Sequence, residues 1–217
     1  MKSADILPNI SALSSLVPAS VAIIGLLKGK YKGEWMPYYF ILCLVPEYNY
    51  LIFHAPLLAS WIIAGLVLIQ LFFFTAHYNN LIDLHKKRLL TGVAIGISLL
   101  LLAYDLSNSI GLPYFFPSNS ITATSVLIAM FCLSHYVKIF RTPNEVSLFA
   151  RPHFIFSTGA LLFFGGSSLT NYYHNSNVIQ RHEWLDELLW QFHAILLILF
   201  YSISSFYLWK IRSTNQQ

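Results

Sequence analysis

The carboxylate and imidazole side chains of this sequence fall into short stripes inside long apolar runs. One stripe is Glu47, Tyr50 and His54, whose spacing of three and then four residues places them on one face of a helix. Another holds Asn171 and His174 at the end of a different run. Side chains of these types can exchange a proton, bind a metal ion or hydrogen-bond a polar ligand. The pattern therefore indicates binding or chemistry carried by helix faces.

Two further stripes lie at the ends of other apolar runs. Asp105 and Asn108 are three residues apart near the end of one run. The last run opens with a stripe whose members lie on one helix face: Glu183, Asp186, Glu187, Trp190 and His193. Acidic residues in the first turn complement the helix dipole, so we expect Glu183 and Asp186 to form a solvated helix end. His193 lies deeper in the run, where a polar group costs free energy unless it finds a partner.

The composition shows which solvent surrounds these stripes. Of 217 residues, 56% are hydrophobic and only 10% are charged, whereas a soluble domain carries about 25% charged residues. The mean hydropathy of +0.59 points the same way. So few charges cannot cover a surface that faces water, and the lipid bilayer is therefore the expected partner of most of this surface.

Seven apolar runs are long enough to cross a bilayer, which takes about 20 helical residues. They predict an all-α, polytopic membrane protein with one seven-helix transmembrane domain over residues 1–217. Pro46 is expected to kink the second span. The predicted spans are residues 8–27, 36–53, 56–78, 89–106, 120–139, 152–173 and 184–209.

The basic residues predict the direction of these spans. Eleven of the 13 lysines and arginines fall after spans one, three, five and seven, and the other two are Lys2 and Arg181. Because basic residues in short loops stay on the cytoplasmic side, the N-terminus is predicted outside and the C-terminus in the cytoplasm of a bacterial inner membrane. The net charge of +4 follows from these short clusters. It does not indicate nucleic-acid binding, which would need a basic stripe interleaved with stacking aromatic residues.

With this orientation all four stripes lie in the outer half of the membrane. If they point inward, they line one extracytoplasmic polar cavity. The residues predicted to contact a ligand there are Glu47, Tyr50, His54, Asp105, Asn171, His174, Trp190 and His193. The pattern assigns no catalytic residue. A smaller polar set near the cytoplasmic side, which includes His77 and His135, is explained by hydrogen bonds between helices.

Parts of three spans carry a family resemblance. Span six begins Arg-Pro-His-Phe-Ile-Phe-Ser-Thr-Gly, span seven contains Trp-Gln-Phe-His-Ala-Ile, and span two contains Val-Pro-Glu-Tyr-Asn around Glu47. In these motifs the chain resembles a group of small seven-span membrane proteins of Bacteroidota, whose members lie beside membrane sensor kinases of two-component systems. Leu197 stands four residues after His193, where that group usually has Asn. The resemblance transfers no residue roles.

The resemblance implies a sensory or accessory membrane module. On this hypothesis the outer cavity receives a small ligand, a lipid head group or a proton, and the helices repack between two states. Glu47, Asp105 and His193 would be the polar contacts. No predicted cytoplasmic segment is large enough to signal alone, so a membrane partner such as a sensor kinase is required.

Two alternatives remain open. The first is an intramembrane hydrolase that uses zinc to act on a lipid, with a metal set drawn from His174, His193, Glu47 and Asp105. The second is a small transporter, for which the outer cavity would be one end of a path. The nearly apolar middle of spans one, three and five argues against the transporter.

Overall fold

The structure of the chain is a computed structural model that describes residues 6–31, 33–53, 56–82, 87–108, 116–141, 147–174 and 183–214. These residues form α-helices with short connections and no β-strand. A single turn of 3-10 helix, Leu148–Ala150, precedes α8. The α-helices are α1 Ile6–Ser14, α2 Leu16–Leu27, α3 Met36–Leu42, α4 Leu44–Phe53, α5 Pro56–Leu81, α6 Lys87–Asn108, α7 Ser118–Arg141, α8 Pro152–His174 and α9 Glu183–Thr214. The prediction of an all-α chain is thus confirmed for the described residues.

Two predicted spans are each divided into a pair of helices, and both divisions precede a proline by three residues. Ser15 separates α1 from α2 ahead of Pro18, and Cys43 separates α3 from α4 ahead of Pro46. Proline lacks the N–H that would bond to the residue four positions earlier, and its ring clashes with that carbonyl. The Ser15 hydroxyl donates to the Ala12 carbonyl at 2.6 Å, which satisfies an acceptor at the first division.

Five helical segments in the described part of the chain are long and apolar enough to cross a membrane, which is consistent with a multi-pass membrane protein. They are Asn9–Leu27, Ser60–Asn79, Thr91–Asn108, Ser118–Arg141 and Trp184–Ile211. The two other predicted spans differ from these for physical reasons. α3 and α4 are individually short, with 7 and 10 residues. α8 has 23 residues, but its serine, threonine, glycine and histidine residues lower its hydropathy.

The helices pack in a closed ring. α2 contacts α9, α9 contacts α8, α8 contacts α7, α7 contacts α5, α5 contacts α3, and α3 returns to α2. α1 lies on α9, and α4 lies on α5. α6 lies outside the ring and packs mainly against α7, so most of the surface of α6 is exposed. The ring therefore leaves one shared interior that faces α3, α5, α7, α8 and α9.

Aromatic side chains fill one half of that interior. Phe74 of α5 stacks on Phe156 of α8 with ring centroids 5.8 Å apart, and Phe156 lies 4.7 Å from the ring of Tyr207 on α9. Phe40 of α3 contacts Phe200 of α9 at 5.9 Å. These five side chains are almost completely buried. Such pairs stabilise a fold by about 0.5–1.5 kcal/mol each beyond their buried area, so this half is a packed aromatic core.

Glycines allow α8 and α9 to approach closely. A Cβ added at Gly159 would lie 2.8 Å from Cγ2 of Ile203, and one added at Gly166 would lie 2.5 Å from Cδ1 of Leu196. Small residues at helix contacts in a membrane let two backbones come together and gain van der Waals contacts. The pair α8–α9 is therefore held by direct packing along its length.

Candidate functional site

The other half of the interior is a cavity of about 1040 Å³. It lies between α1, the α3–α4 pair, α5, α7, α8 and α9. A volume of this size is at the upper end of the range for pockets that hold drug-sized ligands. The described residues that line it are Asn9, Ser11, Ala12, Tyr39, Cys43, Pro46, Glu47, Ile63, Leu66, Gln70, Phe116, Ile121, Ser125, Phe163, Phe164, Ser167, Asn171, Trp190, His193, Ala194, Leu197, Phe200 and Tyr201.

Glu47 is the carboxylic acid among the described residues that line the cavity. It lies in the first turn of α4, just after the break at Cys43, and its side chain is partly exposed. The Tyr201 hydroxyl on α9 donates a 2.8 Å hydrogen bond to its Oε1. A carboxyl group in a low-dielectric interior is costly without such a partner. Tyr201 therefore fixes the carboxyl at the cavity wall while engaging one of its two oxygens.

Polar atoms on α8 and α9 face the same space. Asn171 is buried at the end of α8 and lines the cavity together with Ser167. The Ser167 hydroxyl and Nδ1 of His193 are both shielded from solvent and have no hydrogen-bond partner among the described residues. Buried polar atoms without a partner are uncommon and mark places where a water or a ligand would bind.

Aromatic rings form much of the cavity wall. Phe163 of α8 stacks on Phe200 of α9, with ring centroids 5.1 Å apart and an interplanar angle of 13°. The imidazole of His193 lies 5.4 Å from the ring of Phe163 and 5.4 Å from the ring of Trp190. Phe116, just before α7, contacts Trp190 at 6.0 Å. The described contacts of the His193 ring are thus with aromatic neighbours.

The structure brings together four of the eight predicted ligand contacts. Glu47, Asn171, Trp190 and His193 line the one cavity. Tyr50 belongs to α4 and His174 to the last turn of α8, but their side chains lie outside the described part of the structure. His54 also lies outside the described residues.

Asp105 is not among the residues that line the cavity. It is buried near the end of α6 and accepts two hydrogen bonds from the start of α7: 2.9 Å from the Ser120 backbone N–H and 2.7 Å from the Asn119 amide. The first N–H groups of a helix have no partner within the helix, and a carboxylate at that point also complements the helix dipole. Asp105 therefore joins α6 to the N-terminus of α7.

The described histidines and acidic residues are not arranged as a metal centre. No group of three or more histidine, cysteine, aspartate or glutamate side chains in the described ranges could hold a metal ion. Of the four residues named for a zinc site, Glu47 and His193 line the cavity, whereas Asp105 is bonded to α7. His174 cannot be added to this set, because its side chain is not described.

A second tyrosine–glutamate pair lies six residues further along α9. The Tyr207 hydroxyl donates to Oε2 of Glu34 at 3.4 Å, in the connection between α2 and α3. Partial burial raises the pKa of Glu34 above 4.5, and the hydrogen bond from Tyr207 opposes that shift. α9 therefore contacts the chain before α3 through Tyr207 and the start of α4 through Tyr201.

The polar set at the Lys210 end of the bundle lies apart from the cavity. His135 of α7 and the Tyr78 hydroxyl of α5 both hydrogen-bond the Ser157 hydroxyl of α8, at 2.8 Å and 2.9 Å. The Tyr78 hydroxyl also lies 3.1 Å from the sulfur of Cys132. These contacts join three helices, as expected for hydrogen bonding at helix interfaces.

Sequence reasoning did not select Tyr201 for the site, although a signal was present. Trp190, His193, Leu197 and Tyr201 follow one another at spacings of three, four and four residues. That spacing continues the polar stripe along the same face of α9. Following the stripe through its apolar member would have predicted a hydroxyl at the same wall as Glu47.

Comparison of the chain with protein-family models, with curated proteins and with solved structures gave no match.

Proposed function

We propose that this chain is a sensory or accessory module of a bacterial inner membrane. Its cavity binds a small ligand, and the change in helix packing is passed to a membrane partner. The single observation that carries the proposal is the cavity of about 1040 Å³ in which Glu47 and His193, from separate helices, face one space. Intramembrane ionisable residues are costly and usually mark a functional site.

The proposal includes seven spans, with the N-terminus outside and the C-terminus in the cytoplasm. The distribution of basic residues supports it, since 11 of the 13 lie on the side assigned to the cytoplasm. The α3–α4 pair and α8 then cross the membrane along with the five apolar segments. Both can do so because they are packed against neighbouring helices within the ring.

α9 offers a route from the cavity to a partner. It is a continuous helix of 32 residues, which is about 48 Å long. One part of it lines the cavity through Trp190, His193 and Tyr201, and its far end carries Lys210, which donates a hydrogen bond to the Phe149 carbonyl ahead of α8. A ligand that binds one packing of α9 more tightly than another shifts the balance between them by that difference in affinity.

The resemblance to proteins found beside sensor kinases suggests the kind of partner. We propose a sensor kinase of a two-component system, to which the basic cytoplasmic loops would present the change. The kinase that stays with the chain during purification from its native membrane would be reconstituted with it in nanodiscs. Wild-type protein should change the rate of kinase autophosphorylation, and Glu47→Gln should alter that effect. A purified chain that has no partner and hydrolyses a lipid would contradict the proposal.

The topology is tested with single cysteines in a background that lacks Cys43 and Cys132. Ser147→Cys lies between α7 and α8, and Asn177→Cys lies between α8 and α9. Seven spans predict that a membrane-impermeant thiol reagent labels these two positions from opposite sides. Labelling of both from the same side would show that α8 does not cross the membrane.

Access to the cavity is tested in the same background with Ser167→Cys. The proposal predicts that Ser167→Cys reacts with a small water-soluble thiol reagent added from outside. Ser204→Cys on α9 is the matched control, because Ser204 is buried but does not line the cavity. Equal reaction rates at the two positions would mean that the cavity does not open to the outside.

A further inference from the structure

The described wall of the cavity carries an acidic side chain and no lysine or arginine. Glu47 is the only acidic residue among the described residues that line the cavity, and none of the lining residues in the described ranges is lysine or arginine. An anion placed there would find no lysine or arginine among the described lining residues, and an unpaired charge in a low-dielectric interior is strongly disfavoured. A positive charge would have the Glu47 carboxyl as its partner.

The ring systems on the wall favour the same sign of charge. Aromatic rings present a negative face, and a cation over such a face is attracted by about 0.5–2 kcal/mol depending on desolvation. Seven of the described lining residues are aromatic, and they include Phe163 and Phe200, which stack on each other, and Trp190. The remaining wall is mostly aliphatic, with Ile63, Leu66 and Leu197.

The hydrogen-bonding atoms on the wall supply acceptors for a donor on the ligand. Tyr201 engages Oε1 of Glu47 at 2.8 Å, so the second carboxyl oxygen remains an acceptor. Nδ1 of His193 is shielded from solvent and has no partner within the described structure. An ammonium group with N–H donors would hydrogen-bond the second oxygen of Glu47.

We infer that the cavity takes a lipophilic organic cation, which is an ammonium or similar onium group attached to an apolar body. The inference rests on the proposed function and deepens it by naming the ligand class. The head group lies at Glu47, and the apolar body lies against the Phe163–Phe200 stack. The volume of about 1040 Å³ accommodates a body larger than a simple amine.

The test compares two ions of one shape and opposite charge. Radiolabelled tetraphenylphosphonium and tetraphenylborate are titrated separately against wild-type protein in nanodiscs, and binding to empty nanodiscs of the same lipid is subtracted. The inference predicts saturable binding of the phosphonium at about one ion per chain and no saturable binding of the borate. This comparison needs no variant.

Variants then assign the binding to Glu47. Glu47→Gln should weaken phosphonium binding at least tenfold, which corresponds to about 1.4 kcal/mol. Glu47→Asp keeps the charge and should retain affinity within about threefold, or about 0.7 kcal/mol. Glu34→Gln is the matched control, because Glu34 has the same tyrosine contact on α9 but does not line the cavity. It should leave binding unchanged.

The outcomes separate this inference from the proposed function. Saturable binding of the borate that equals or exceeds phosphonium binding would overturn the cation inference and leave the cavity as a ligand site. Phosphonium binding that Glu47→Gln does not weaken would also overturn it. Failure of both ions to bind, together with no reaction of Ser167→Cys, would overturn the inference and the proposed function together.

Two sources could supply such a cation, namely an aminophospholipid and a free amphiphilic amine. Nanodiscs of phosphatidylglycerol alone are therefore compared with nanodiscs that contain phosphatidylethanolamine. Competition by phosphatidylethanolamine against the phosphonium would support the inference with the lipid head group as the source. Equal binding in both nanodiscs would support it with a free amine as the source.

Discussion

The hydroxyl group of Tyr201 donates a 2.8 Å hydrogen bond to the carboxyl group of Glu47, across 154 residues of chain. The contact joins the middle of α9 to the first turn of α4 at the wall of the cavity. The Glu47 carboxyl therefore belongs both to the proposed ligand site and to a contact between two helices. Any occupant that contacts Glu47 therefore acts on the contact between α4 and α9.

The Tyr201–Glu47 contact should be measurable as a coupling energy. Tyr201→Phe removes the hydroxyl with little change in shape, and we expect a loss of about 1–2 kcal/mol because the partly buried carboxyl loses its donor. A double-mutant cycle with Glu47→Gln, followed by unfolding in detergent micelles, should give an interaction energy of about 1 kcal/mol. Strictly additive effects of the two substitutions would show that the contact contributes nothing.

Asp105 should behave as a helix-capping residue rather than a ligand contact. Asp105→Ala removes both acceptors for the start of α7, and we expect a loss of about 1–2 kcal/mol in the free energy of unfolding. Asp105→Asn keeps a side-chain oxygen that can accept from the Ser120 N–H, so its loss should be smaller. Phosphonium binding should be unchanged in both folded variants. Lost binding at unchanged stability would instead place Asp105 in the ligand site.

Three glycines of α8 should respond differently to a methyl group. Gly159→Ala meets the β-branched Ile203 at 2.8 Å, which cannot easily move, and should cost about 1–3 kcal/mol. Gly166→Ala meets the end of the flexible Leu196 side chain and should cost less. Gly165→Ala has open space within 4 Å and should be neutral or stabilising by up to about 1 kcal/mol, because alanine favours helix. The measurement is thermal unfolding of the three variants, and an equal loss in all three would contradict the packing described for α8 and α9.

Zinc content distinguishes the ligand site from a hydrolase. The proposed sensory module predicts that elemental mass spectrometry of the detergent-purified chain shows far less than one zinc per chain. His193→Ala should leave the metal content unchanged. About one zinc per chain, lost in His193→Ala, would support the hydrolase and direct the search to lipid substrates.

Glu34 should produce a pH dependence of stability outside the membrane. Because burial raises its pKa above 4.5, the folded protein holds this proton more tightly than the unfolded chain does. The free energy of unfolding should therefore fall as the pH rises from about 4.5 through the raised pKa and be level above it. Glu34→Gln should remove that fall, which is measured as the difference between the two unfolding curves across pH. An unchanged difference from pH 4 to pH 8 would show that Glu34 does not titrate differently on folding.

Much of the helical architecture could be predicted from the sequence, because apolar length and proline positions act locally. The predicted span of residues 36–53 and its kink at Pro46 correspond to α3, α4 and the break at Cys43. Pro18 gave the same local signal, and the structure divides that span at Ser15. The run of residues 152–173 forms α8, whose polar residues lower its hydropathy below that of a plainly apolar span.

The site was less predictable, since it depends on which helix faces meet. Spacing grouped Glu47, Asn171, Trp190 and His193 into stripes on helix faces, and in the structure these four residues line one cavity. The same reasoning grouped Asp105 with them, because a sequence does not show that the next helix begins beside that carboxyl group. Tyr201 was missed because a tyrosine deep in an apolar run has no charge to mark it.

α9 contacts the chain before α3 through Tyr207 and the start of α4 through Tyr201, and these two phenol groups lie six residues apart along one helix. Tyr201 lines the cavity, whereas Tyr207 is not among the described residues that line it. A ligand that replaces Tyr201 as the partner of the Glu47 carboxyl leaves the hydrogen bond between Tyr207 and Glu34 in place. Loss of the Tyr201 contact would therefore release the start of α4 from α9 on one side of the break at Cys43, while the chain before α3 keeps its contact with Tyr207.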